Sequence, residues 1–438
     1  MPDLIVTNAG ELLTIASPGP RRGREMADLG IIRHGALAVE QGRITYVGPA
    51  RDVLDLAGPT TAVIDAGGRV VMPGFVDAHT HLIFAGDRAA EFEQRLHGAT
   101  YLEILARGGG ILGTVQATRR ADQATLIAES GRRLATMLSC GTTTTEAKTG
   151  YGLDLATEMK MLDVAARLNQ MQPITIIPTF LAAHAVPPEF GGRADEYVDT
   201  IVQDMLPAVA RWRMGQSTSV SPAQAERRGE GALPFPVAFF CDVFCDEGAF
   251  TLSQAGQILQ AARAVGLGLK IHADEFVALG GARLAAELGA ISADHLAITS
   301  HEDMECMAAA GVIAVLLPGT TFGLGSGHYA DARAMIEHNL AVALGTDLNP
   351  GTCYCESMQF IIALACRYLK LTPAEAICAA TINAAYASGV GHLVGSLQPG
   401  KLADILILDA LDHRHLAYRF ATNLVARVIK LGRQVYPG

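Results

Sequence analysis

Beyond residue 70 the chain alternates two kinds of segment. Short apolar runs rich in β-branched residues are separated by longer stretches whose apolar positions recur at helical spacing. The strand-like runs are Val70–Asp77, Thr142–Ala147, Ile174–Phe180, Ala238–Phe244, Leu267–Ala273, Ile291–His295, Val312–Leu317 and Ala341–Thr346. Gln123–Leu138, Ala156–Leu168, Leu252–Val265 and Met304–Ala310 are helical stretches between them. Strands that are apolar on both faces and separated by helices imply a parallel sheet covered on both sides. Eight such runs predict a (β/α)8 barrel.

The two ends of the chain read differently. Leu4–Asn8, Leu12–Ile15, Ala36–Glu40, Ile44–Val47 and Ala62–Asp65 are β-prone runs punctuated by Gly and Pro, which predicts a small antiparallel unit. Leu402–Leu408 and Val425–Tyr436 return to β character, the first fed by a turn in Gly395–Asp409. The expected architecture is therefore α/β: a (β/α)8 TIM-like barrel over 70–394, with a small β-sandwich domain formed from both termini, 1–69 and 395–438. Residues 211–236 are polar and contain Gly, Pro and Ser, which predicts a surface loop before the fourth strand.

Composition narrows the class. With 438 residues, half of them hydrophobic, the chain can bury a large core. A net charge of −10 and the lack of a long basic run argue against a nucleic-acid partner. No apolar run reaches the roughly 18 residues that a membrane span needs. The opening MPDLIVTNAG lacks the basic and apolar regions of a signal peptide. The eight cysteines form no pair of CxxC motifs and read as small buried hydrophobes in a reducing compartment. The expectation is a cytoplasmic protein without a membrane partner. Only 18% of residues are charged, which leaves a homodimer open.

In such a barrel the chemistry sits where strands end. The first run ends Asp77-Ala78-His79-Thr80-His81, and alternation along a strand points His79 and His81 the same way. The fifth ends His272-Ala273-Asp274-Glu275, the sixth Asp294-His295, and the eighth Thr346-Asp347-Leu348-Asn349.

The order HxH, His, His, Asp on successive strands resembles the amidohydrolase superfamily. The run VMPGFVDAHTH is similar to its first-strand motif, and GKLADILILD to its returning β segment. Further blocks extend the likeness over nearly the whole chain, to the imidazolonepropionase family. They are FAGDRAAEF (84–92), YLEILARGGGI (101–111), TEAKTGYGLD (145–154), PTFLAAHAVPPEF (178–190), DVFCDEGAF (242–250), IHADEF (271–276) and GTDLNPGT (345–352). TGYG, AHAVPPEF and HADEF are specific to that family, whereas HxH is shared with many relatives.

The resemblance implies metal-dependent hydrolysis of the ring C–N bond of 4-imidazolone-5-propanoate to N-formimidoyl-L-glutamate, a step of histidine degradation. It implies one Zn2+ or Fe per subunit on His79, His81, His272 and Asp347, a donor set that suits either metal. The fourth strand ends Phe244-Cys245-Asp246-Glu247, without the lysine that bridges two metals in some relatives, so one metal is expected. Glu275 is expected to move protons, and His295 to hydrogen-bond the metal-bound water or the substrate carbonyl. Arg88 is the expected partner of the propionate. Tyr151, His184, Glu275, Asn349, Gly351 and Thr352 are expected to contact the substrate. Lys148 is read as a supporting residue, and Gly108–Gly110 as a hinge near the site.

Overall fold

A computed structural model gives the fold. It describes residues 1–98, 109–218 and 239–437. The chain opens with β1 (Leu4–Leu13), β2 (Ile31–Glu40), β3 (Arg43–Pro49), β4 (Ala62–Asp65) and β5 (Val70–Pro73). Eight strands follow: β6 (Phe75–Asp77), β7 (Thr142–Lys148), β8 (Thr175–Ala183), β9 (Phe240–Cys245), β10 (Gly268–Ala273), β11 (Ser292–His295), β12 (Ile313–Leu316) and β13 (Val342–Leu344). The chain ends with β14 (Ile405–Leu408), β15 (Val425–Lys430) and β16 (Arg433–Tyr436).

Strands β6 to β13 pair in parallel and in sequence order. The ring closes just beyond its first and last strands. Thr80 bridges Leu348 in parallel, Asp347 N donates to His79 O at 2.9 Å, and His81 N donates to Leu348 O at 2.9 Å. Closure thus occurs at the segments that carry the HxH pair and Asp347. Helices cover the barrel and begin where the sequence offers caps. Asp122 accepts from Thr125 N to start Gln123–Ser139, and Asp154 accepts from Thr157 N to start Leu155–Met171. Thr251 and Gln254 form a capping box at Leu252–Ala264.

The barrel expectation holds, and the terminal β unit is indeed assembled from both ends of the chain. Its sheet runs β16-β15-β14-β5-β1-β2-β3, with β4 alongside β1. The expected antiparallel unit is in fact mixed, because β1 pairs in parallel with β4 and β5. The run Val70–Asp77, expected as one barrel strand, is two. Val70–Pro73 joins the terminal sheet, and after Gly74 only Phe75–Asp77 joins the barrel. Leu4–Asn8 and Leu12–Ile15 merge into one strand across an irregularity at Asn8, whose φ is 57°. Val425–Tyr436 is a hairpin, turned at Leu431 and Gly432 with φ of 50° and 74°.

The expected 211–236 loop is partly wrong, since a helix runs Leu206–Thr218. The remainder of that segment lies outside the described residues, as does Gly108 of the expected hinge. All eight cysteines are free. Among the described residues no helix is long and apolar enough to cross a membrane.

Candidate active site

Three imidazole nitrogens and one carboxylate oxygen converge at the C-terminal mouth of the barrel. His79 Nε2 lies 3.4 Å from His81 Nε2, and His272 Nε2 lies 3.5 Å from His81 Nε2. Asp347 Oδ1 is 3.5 Å from both His79 Nε2 and His81 Nε2. Four donors at metal–ligand bonds of about 2.1 Å in a tetrahedron stand roughly 3.4 Å apart, so these spacings fit a small divalent cation. Asp347 Oδ1 is buried without a hydrogen-bond partner, as a free ligand atom would be. Its other oxygen accepts from Thr320 Oγ1, which fixes the carboxylate plane. Burial lifts the Asp347 carboxyl to about 7. Burial, with the crowded imidazoles and the Lys148 ammonium, holds the three rings well below the usual histidine range. They therefore present neutral nitrogens.

Behind the rings lies a fully buried ionic cluster. Asp294 Oδ2 lies 2.7 Å from His79 Nδ1. Asp242 Oδ2 lies 3.0 Å from His272 Nδ1, off the line of a good hydrogen bond. Lys148 Nζ approaches Asp242, Glu146 and Asp294 at 2.6, 3.1 and 3.2 Å, and Lys270 Nζ approaches Glu146 at 2.9 Å. Burial opposes the Lys148 charge, but the three carboxylates outweigh it and raise its pKa.

In front of the rings opens a cavity of about 690 Å³. Its lining includes every residue expected to touch substrate: Arg88, Tyr151, His184, Glu275, Asn349, Gly351 and Thr352, together with His295. His81, His272 and Asp347 reach it, while His79 sits behind them.

Each wall is held by a local device. His184 stacks on His81 with ring centroids 4.7 Å apart, and its Nδ1 lies 3.1 Å from Gly150 O, the geometry of a donated bond that leaves Nε2 to accept. A side chain on Gly150 would meet His184 Nδ1 at 2.9 Å, and φ there is +102°, so this position requires glycine. Glu158 accepts from the backbone N–H groups of Gly150, Gly152 and Leu153, which shapes the turn presenting Tyr151. Arg88 Nε donates to Thr114 Oγ1 at 2.9 Å, and its guanidinium packs where a side chain on Gly351 would stand.

Glu275 and His295 face each other across β10 and β11, with Glu275 Oε1 3.6 Å from His295 Nδ1. Burial, then the charges of Asp347 and Asp246, raise the Glu275 carboxyl well above its usual range. Burial lowers His295 to about 4, so it is neutral near pH 7.

The amidohydrolase family profile matches residues 70–435. An imidazolonepropionase of Symbiobacterium thermophilum is 51% identical over 435 residues, covering 99% of this chain and 97% of that one. An imidazolonepropionase of Chloroflexus aggregans is 50% identical over 434 residues, covering 99% and 98%. The chain belongs to the imidazolonepropionase family of amidohydrolases. The fold likeness extends further, to the solved guanine deaminase of E. coli, at a TM-score of 0.71 and 17% identity over 99% of each chain.

Within this imidazolonepropionase framework the structure shows what the expected substrate residue Asn349 bonds to, and brings forward further residues to which sequence reasoning gave no role. Asn349 is spent on its own loop: Oδ1 accepts from Gly351 N and Thr352 N at 2.8 Å each, and Nδ2 donates to Asp347 O and Thr352 Oγ1. Arg95 joins the cavity wall and donates to Gly351 O at 3.1 Å. Asp77 accepts from Thr346 N and Oγ1 at 2.9 and 2.6 Å, tying β6 to the end of β13. Asp242 was visible as an acid inside an apolar run, and Asp246 and Asp294 as acids at the ends of runs. Such acids are almost never fully buried unless paired, and that was the usable signal.

Proposed function

We propose that this chain hydrolyses the ring C–N bond of 4-imidazolone-5-propanoate, giving N-formimidoyl-L-glutamate, with the following division of labour. His79, His81, His272 and Asp347 hold one Zn2+ or Fe per subunit. Bound there, the metal supplies Lewis acidity that brings the pKa of a water toward roughly 7. The observation that carries the reading is the convergence of these four donor atoms beside Glu275, at the floor of a cavity that also holds a guanidinium.

The remaining roles belong to side chains. Arg88 clamps the propionate of the substrate by a charge-assisted fork. Tyr151 and His184 close over the ring, with His184 Nε2 free to accept a ring N–H. Neutral His295 donates to the ring carbonyl oxygen as negative charge develops there. Glu275, whose buried carboxyl holds a proton more readily than a solvated one, takes the proton of the attacking water and returns it to the departing ring nitrogen. The loop Asn349–Thr352 supports the clamp through the seat that Gly351 gives Arg88.

E275Q tests the assignment. It keeps the shape but not the base, so metal content stays at the parental level while kcat falls by about 100-fold or more. Full turnover in E275Q would overturn the role.

A further inference from the structure

Lys148 does not line the cavity, yet its ammonium meets the two carboxylates that stand behind two of the proposed metal ligands. The contacts fall on particular atoms. Asp242 Oδ2, 2.6 Å from Lys148 Nζ, is the same oxygen that lies 3.0 Å from His272 Nδ1. Asp294 Oδ2, 3.2 Å from Lys148 Nζ, is the same oxygen that lies 2.7 Å from His79 Nδ1. Glu146 takes the third contact at 3.1 Å, so one ammonium stands among three carboxylates and donates a hydrogen bond to Asp242. Lys148, Glu146, Asp242, Asp294 and His79 are completely shielded from solvent.

We propose that Lys148 is a positioning residue for the metal centre, holding Asp242 and Asp294 where each places an oxygen beside the Nδ1 of a ligand histidine. With Nδ1 engaged as donor, His79 turns its Nε2 lone pair toward Asp347 and His81; His272, with Asp242 Oδ2 3.0 Å from its Nδ1 but off the hydrogen-bond line, turns its Nε2 toward His81. Without the ammonium, two like-charged groups without water face each other and turn apart, and the rings lose their backing. Lys270 has a different place in the cluster. It reaches Glu146, which makes no ion pair with a ligand ring and accepts instead from Thr179 Oγ1. This inference rests on the metal site proposed above.

The test compares two double variants, each of which removes one charge of each sign and so leaves the cluster's net charge unchanged. K148M/E146Q removes the tie to Asp242 and Asp294, whereas K270M/E146Q leaves that tie in place. Metal is stripped from each protein, and the affinity for Zn2+ is read by competition with a chromophoric chelator. K148M/E146Q should bind Zn2+ about 10- to 100-fold more weakly than the parent, and K270M/E146Q within about threefold of it. Parental affinity in K148M/E146Q, or an equal loss in the two variants, overturns the proposal. K148R, which keeps a cation and its donors, should recover most of the affinity; no recovery overturns it.

The parent chain gives a second reading that needs no altered protein to fold. In 15N NMR spectra the rings of His79 and His272 should carry their proton on Nδ1, and an Nε2–H form of either ring overturns the proposal. A parent chain that binds no Zn2+ at all would instead overturn the metal site itself.

Discussion

Asp246 sets the position of Glu275 without touching the cavity. At the end of β9 it is almost fully buried, and it accepts four backbone N–H groups. Oδ2 takes Glu275 N and Phe276 N at 2.9 Å each; Oδ1 takes Val277 N at 2.9 Å and Glu247 N at 2.7 Å. Asparagine at this position has one accepting oxygen and one NH2. In either orientation it keeps two of the four bonds and turns its NH2 toward two N–H donors. A hydrogen bond to a charged acceptor contributes about 1.5–3 kcal/mol, so D246N should destabilise the turn by about 3–6 kcal/mol. A displacement of about 1 Å at a reacting group costs on the order of 100-fold in rate. D246N is therefore expected to lose about 100-fold in kcat while its metal content and circular dichroism stay parental. The assay is loss of imidazolonepropionate ultraviolet absorbance, corrected for spontaneous decay. A kcat within about twofold of the parent would refute the reasoning, because the four bonds would then not be what places Glu275.

Two other outcomes follow from the same geometry. R88M should raise KM about 100-fold, because a charge-assisted clamp on a carboxylate is worth about 2–5 kcal/mol, yet leave the turnover of a ring lacking the propionate unchanged. Equal losses on both compounds would remove Arg88 from the clamp. The pH dependence of metal binding follows from Asp347, whose carboxyl is raised to about 7 while the ligand imidazoles stay neutral. Below that value one proton must leave for each metal bound, so affinity for Zn2+ should fall about tenfold per pH unit as pH drops below 7, and level off above it. In the metal-free protein the sign is opposite: a raised carboxyl favours the folded state at low pH, and that contribution is lost as pH rises through 7. Chelator competition between pH 5.5 and 8 reads the first effect, and a flat profile would contradict it.

Much of this was legible in the residues, and for physical reasons. A parallel strand buried on both faces writes a continuous apolar run, so the barrel strands stood out; their C-terminal ends, where polar groups must face the mouth, carried His79, His81, His272 and Asp347. What a run of β-branched residues does not carry is the sheet it joins. Val70–Pro73 and Phe75–Asp77 have the same character but pair with different partners. Asn8 resembled a break because a short polar residue so often ends a strand, yet β1 absorbs it as a local irregularity. The cluster around Lys148 was hidden for another reason. Its members come from β7, β9, β10 and β11, and only the closing of the barrel brings them together. Asn349 shows the converse, since an amide beside a metal-ligand candidate reads as a substrate contact until its loop is seen to use every bond it offers.

The central claim is that one metal on His79, His81, His272 and Asp347 enables ring opening of a carboxylated imidazolone. The most direct test is to strip the protein with a chelator, add back Zn2+ or Fe2+ in steps, and follow freshly prepared imidazolonepropionate with formiminoglutamate quantified as product. Activity should be absent from the stripped protein and return in proportion to metal, saturating at one ion per chain. Undiminished ring opening in stripped protein, or metal-loaded protein that opens the ring no faster than the spontaneous background, would contradict the account.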